Sequence, residues 1–318
     1  MSRLARLSRR RAGAHFQLID YAWEEKAVSK PALAVHSIAS GIVIAGAAAW
    51  CAGVWAPAAR AEAAKIPDLA SIEFAWLALG VHWFEPPPGL GRGPIGQDPA
   101  YHYHSNVDGP GQVTPDIGYT KDPVLKPWAA KEMQESNEEV LSGRRGLPFA
   151  AQSVCYPGGV PGQLLTPAEP FYVIQKPNEV WMIWQRDHMV RRIYLTDKHS
   201  EAVKPSWFGE SIGHYEGDGT LVVDTVGLSA HLSYLDWYRT PHTEKEHVVE
   251  RYKLTNDGNR LEVLVTVEDP DTFNEPLHMI QRWRKVKNPM LETVCAENNG
   301  DHFGKNLFPI PQADKPDF

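Results

Sequence analysis

The sequence contains no C-x-x-C pair, no glycine-rich phosphate loop after a strand and no G-x-S-x-G elbow. Nucleotide cofactors and the usual serine-hydrolase arrangement are therefore disfavoured, and no cofactor is expected. Long uncharged runs are scarce as well. The clear one spans Ile38 to Trp55, which rules out a multi-span membrane protein. Basic charge is lacking where a nucleic-acid binder needs it. Beyond residue 61 the chain carries 24 Lys/Arg against 36 Asp/Glu, and so acidic a body repels phosphate backbones. Internal repeats and low-complexity segments are missing too. What is plentiful is core-forming material: 43% of the 318 residues are apolar and 10% aromatic, enough to exclude disorder.

The charge that the body lacks is concentrated at the front. Residues 1–61 hold eight Lys/Arg against three acids, ahead of and around the apolar run at 38–55. Ala59-Arg60-Ala61 follows as an A-x-A cleavage site, so the order matches a secretory signal cut after Ala61. The protein is expected to be periplasmic or secreted. The leader before the run is long for a signal, and the run just suffices to stay as an inner-membrane anchor; that is the alternative. Cys51 lies inside this segment, leaving Cys155 and Cys295 in the mature chain. An even pair in an exported chain reads as one disulfide, with two buried thiols as the alternative.

Three stretches follow from the patterning: 1–61 as signal or anchor, 62–150 as an irregular arm plus a helix, and 151–318 as a β-barrel domain. Lys65 to Leu125 is rich in Gly and Pro and poor in periodicity, and reads as coil wrapping something else. Pro127–Leu141 reads as a helix, with proline in its first turn and Ser142-Gly143 as its stop. After Pro170 the pattern turns to period two. Strands are expected at 171–176, 179–185, 188–195, 211–216, 220–226, 246–254, 260–268 and 277–286, separated by turns such as Pro177-Asn178 and Gly217-Asp218-Gly219. Mostly hairpin links imply an antiparallel meander, closed as an eight-stranded lipocalin-like barrel to remove its edges. An open sandwich is the alternative.

Several motifs then stand out: Cys155-Tyr-Pro-Gly-Gly-Val-Pro161, His188 to Tyr194 (HMVRRIY) and Pro205 to Gly213 (PSWFGESIG). With them go Tyr215 to Gly227 (YEGDGTLVVDTVG), Pro241 to Tyr252 (PHTEKEHVVERY) and Cys295-Ala-Glu-Asn-Asn299. Over about residues 150–300 the chain resembles a large family of exported, mostly uncharacterised bacterial proteins. Gly219 is extra where that group runs Gly-Asp-Thr, which should only lengthen a turn. The resemblance implies export and fold more than any reaction, and its two cysteine motifs favour the Cys155–Cys295 bond.

Side-chain alternation selects the residues able to do chemistry. On the strand at 246–254, Val248, Glu250, Tyr252 and Leu254 share the more apolar face, which places the Glu250 carboxylate among hydrophobic neighbours. Asp224 is flanked on its face by Val222 and Val226, while Arg192 shares a face with His188, Val190 and Tyr194. Charged groups converging in an apolar barrel build a small-molecule site. Glu250 is expected to face the interior, paired with Arg192 or a histidine; the alternative is a buried Arg–carboxylate network that only locks strand register. The connection from Gly227 to Lys245 is unusually long and carries Tyr234, Asp236, Trp237, Tyr238 and His242. It is expected to wall or lid the ligand site with His242 pointing in; a packed surface loop is the bland reading. His242, Glu244, His247 and Glu250 match no zinc spacing, and His102 and His104 lie in the arm, so no metal is assigned.

These readings converge on an exported barrel acting on a small apolar or amphipathic molecule, without nucleic acid as a partner. One version is a cofactor-free proton-transfer enzyme using His242, His247, Glu250, Asp224 and Asp236, with Arg192, His188, Tyr194, Trp237, Tyr238 and Tyr252 holding ligand. The other is a non-catalytic lipocalin-like binding protein built on the same pocket.

Overall fold

The computed structural model describes residues 66–70, 73–79, 83–101, 116–142, 151, 155–165, 169–231, 233–287 and 289–295. The chain divides into Met1–Ala58 and Ala59–Phe318, and every described residue belongs to the second. The signal or anchor at 1–61, His102, His104 and the residues after Cys295 thus lie outside the described ones. Among those described, no helix is long and apolar enough to cross a membrane.

The chain forms a closed barrel of nine strands in sequence order. They are β1 (Ala75–Ala78), β2 (Phe171–Gln175), β3 (Glu179–Trp184), β4 (Val190–Tyr194), β5 (Glu210–Tyr215), β6 (Leu221–Val226), β7 (His247–Thr255), β8 (Arg260–Glu268) and β9 (Leu277–Val286). The helix α1 runs over Pro127–Leu141, as its proline start and Ser142 stop imply. Two features depart from the eight-stranded antiparallel meander. First, the extra strand is β1, which comes from the arm read as coil and closes the barrel between β9 and β2. Second, β4 and β5 pair in parallel, through Ile193↔Ser211 and Tyr194↔Ile212. Parallel neighbours need a crossover instead of a hairpin, and the stretch at 195–209 supplies it.

The hairpins follow turn chemistry. Lys176 N–H donates to the Glu179 carbonyl at 2.8 Å around Pro177-Asn178, and Glu216 N–H donates to Thr220 at 2.9 Å, enclosing the extra Gly219. Between β7 and β8, Asn256, Asp257 and Gly258 all adopt positive φ, the conformation a tight hairpin demands. Inside, period two places Phe171, Val173, Met182, Trp184, Ile193, Val223, Val263, Val265 and Trp283 in one buried core. Each such side chain contributes about 1.5–3 kcal/mol by leaving water.

The arm wraps this barrel. It continues β1 along β9, through Leu79 N–H to the Arg282 carbonyl and a bridge between Glu85 and Ile280. It then folds back on itself between Gln97 and Gly118. The Cys155 motif packs under the long β6–β7 loop, where two glycines are required. A Cβ on Gly159, which has φ +69°, would sit 2.6 Å from Ser233 Oγ, and one on Gly162 would sit 2.7 Å from the Tyr234 carbonyl. Cys155 and Cys295 are disulfide-bonded, joining the approach to β2 to the segment after β9.

Candidate functional site

The groups singled out by alternation fall into separate places. Glu250 does face the bore, completely buried between Val248 and Tyr252. Its partner is not Arg192 but the neighbouring Arg191. Arg191 Nη1 and Nη2 donate to the two Glu250 oxygens at 2.9 and 2.5 Å, Nη2 also reaches Thr225 Oγ1 at 2.8 Å, and Nε reaches Ser211 at 3.1 Å. Tyr252 donates its hydroxyl to Glu250 at 2.7 Å. Burial opposes the Arg191 charge, yet the Glu250 carboxylate outweighs it and holds the guanidinium pKa up. Burial, together with Glu250, also lifts the Tyr252 phenol well above its ordinary value. The two catalytic-type groups here are thus spent on each other. The cluster ties β4, β5, β6 and β7 together, which is the register-locking alternative.

Arg192, by contrast, points outward with Tyr194. It is about half exposed, bonds Glu179 at 2.9 Å, and lies over the rings of Trp181 and Tyr194. His188 is at the exposed tip of the β3–β4 turn with φ +48°. Arg192 and Tyr194 do share a strand face, but it is the outer one, and His188 lies in the turn before that strand.

Asp224 is also on the outer wall, because its inward neighbours are Val223 and Thr225, which register against Glu250 and Val248. It meets two histidines there. His247 Nε2 lies 3.1 Å from Asp224 Oδ2, and His199 Nε2 lies 2.8 Å from Oδ1. His199 Nδ1 continues to Glu210 at 3.1 Å, and Ser200 donates to Glu210 at 2.5 Å. The hydrogen bond to His247 is the main cause that depresses the Asp224 pKa, and the same bond raises that of His247. His199 and Glu210 escaped sequence reading, since a crossover residue meeting a strand start leaves no local pattern. His247, Asp224, His199 and Glu210 thus form one continuous chain of polar contacts on the outer wall.

The loop from Gly227 to Lys245 is packed down, not poised as a lid. Arg239, 1% exposed, donates to Ser136, Trp237, Asp116 and Asn137 at 2.6–3.1 Å, clamping the loop to α1 and to the arm. Trp237 donates to the Leu165 carbonyl at 3.2 Å. Asp236 accepts from both the N–H and the hydroxyl of Thr240, at 3.1 and 2.8 Å, and burial lifts its pKa to about 6. His242 is buried with Nδ1 2.6 Å from a Glu246 oxygen; among the described residues, its Nε2 and both Glu246 oxygens lack an aligned hydrogen-bond partner. Burial disfavours the His242 charge, but Glu246 overcomes this and raises its pKa; burial raises that of Glu246.

Open space occurs where sequence reasoning did not look. A cavity of about 560 Å³ lies between arm residues 83–101 and the β6–β7 loop. Trp83, Phe84, Tyr101 and Tyr238 line it with Ile95 and the rings of Pro86, Pro94 and Pro99. Among the described residues, Glu85, Gln97 and Asp98 supply its polar lining. Of the residues expected to hold ligand, Tyr238 alone reaches this wall, and His242 does not. The signal was present in the density of aromatic and proline residues at 83–101, which the coil reading treated as punctuation. Among the described residues, no group of three or more His, Cys, Asp or Glu is arranged to hold a metal ion. No protein-family model matches the chain, and no curated protein matches it.

Proposed function

We propose that the protein is exported and binds a small, largely apolar molecule in the cavity between the arm and the β6–β7 loop. The observation that carries this reading is the cavity itself, about 560 Å³ and walled by aromatic and proline rings. That volume falls in the range of small-molecule clefts, which combine apolar walls with a few polar groups. Binding is favoured over proton transfer by where the acid–base groups lie. Glu250 is consumed by Arg191 in the bore, Asp224 and His247 pair on the outer wall, and His242 is buried beneath the loop. Among the described residues that line the cavity, none is a histidine. The Cys155–Cys295 bond supports export, because such bonds persist in oxidising compartments, as does the resemblance to exported bacterial proteins.

The test is native mass spectrometry of protein purified from the periplasm. A retained small molecule is expected, lost on Tyr238→Ala or Trp83→Ala while the barrel's melting is preserved. Retention that ignores both substitutions would place the site elsewhere.

A further inference from the structure

We infer that the cavity selects a positively charged apolar molecule, an aryl- or alkylammonium, over neutral or anionic molecules of the same shape. This rests on the binding reading above and adds the chemistry of the ligand.

The lining is one-sided in charge. Among the described residues that line the cavity, Glu85 and Asp98 are the charged ones, and none is a lysine, arginine or histidine. An anion entering such a space meets the Asp98 carboxylate and no basic residue of the described lining. Glu85 is already engaged, since it pairs with Arg282 on β9. Asp98 is different: its Oδ1 accepts the Ala100 N–H at 2.9 Å, and it forms no ion pair among the described residues. It is therefore the carboxylate with charge to spare.

The neutral lining points the same way. Trp83, Phe84, Tyr101 and Tyr238 supply four aromatic rings to the lining, the residue type whose quadrupole attracts a cation and that commonly cages quaternary ammonium groups. The Gln97 side chain does not compete for ligand, since its Nε2 donates to the Tyr101 carbonyl at 2.9 Å and its Oε1 accepts Ile117 N–H at 3.2 Å. With 24 Lys/Arg against 36 Asp/Glu beyond residue 61, the body's field draws cations toward the surface.

Calorimetric titration of the protein with three phenylethyl probes that differ in the charge of the head group tests this: 2-phenylethylammonium, 2-phenylethanol and 3-phenylpropanoate. The cation is expected to bind about tenfold or more tightly than the alcohol, with the carboxylate weakest. Asp98→Asn should remove several-fold of the cation's advantage over the alcohol; thermal melting verifies that the variant is folded. Equal affinities for cation and alcohol, both abolished by Tyr238→Ala, would overturn the charge preference and leave the binding reading standing. Tightest binding by the carboxylate would overturn the preference as well. If no probe binds, or if binding ignores both Tyr238→Ala and Trp83→Ala, the cavity is not the site and both readings fall.

Discussion

Arg191 and Arg192 are adjacent, chemically identical, and have opposite fates. Arg191 is buried against Glu250, while Arg192 stays in water over Trp181. Alternation alone could not separate them, because each face of this strand offers apolar neighbours: Met189 and Ile193 on one side, Val190 and Tyr194 on the other. The same ambiguity reversed Asp224, whose Val222 and Val226 neighbours looked as core-like as Leu221 and Val223. Glu250 was readable, since its face carries Val248 and Tyr252 while the opposite face carries His247, Arg251 and Lys253. The buried pair makes a sharp prediction. Glu250→Gln or Arg191→Met alone should cost about 3–5 kcal/mol by orphaning a buried charge, and the double variant should cost less than either. Urea unfolding of the three variants decides it; additive losses would mean the partners do not depend on each other. Asp236 governs a second effect. Its folded pKa of about 6 lies above the ordinary 3.8, so the folded protein holds this proton more tightly than the unfolded chain. Its contribution to stability is fully present below pH 3.8 and fades as pH rises through about 6, a loss of about 3 kcal/mol at two pKa steps. Asp236→Asn should lack this decline when stability is measured from pH 4 to pH 7.

Eight of the strands and the helix were readable because each advertises itself locally, by period two between turn residues or by a proline start and a serine–glycine stop. The strand β1 advertises nothing. Its four residues, AWLA, are buried or half-buried without alternation and sit among glycines and prolines. Its existence depends on what it touches: four register pairs with β9 and one with β2. The parallel pairing of β4 with β5 was unreadable for the same reason, since strand patterns state that a strand exists but not which neighbour it takes. Trp76 carries most of what β1 adds, being wholly buried with its indole N–H on the Leu69 carbonyl at 3.2 Å. Trp76→Ala should therefore cost about 3–5 kcal/mol. It should also bare the facing edges of β2 and β9, so light scattering is expected to report self-association; a monodisperse, equally stable variant would remove β1 from the closure.

Taken whole, the barrel is held around its girth with very uneven strength. The β7–β8 ribbon has nine register pairs, whereas the β1–β2 seam has one and the parallel β4–β5 seam has two. The covalent tie between Cys155 and Cys295, 140 residues apart in sequence, adds roughly 3–5 kcal/mol by restricting the unfolded chain, but it lies away from that seam. What crosses the seam inside is the Arg191 side chain, rooted on β4 and bonded to Ser211 on β5, Thr225 on β6 and Glu250 on β7. The wall should therefore breathe like a cuff with a single button. In deuterated buffer, the amides of β5 that face β4 should exchange through brief partial openings, orders of magnitude faster than those between β7 and β8, which wait for complete unfolding. With Arg191 replaced by methionine that gap should widen, the seam exchanging faster still relative to a ribbon that continues to report only the global event.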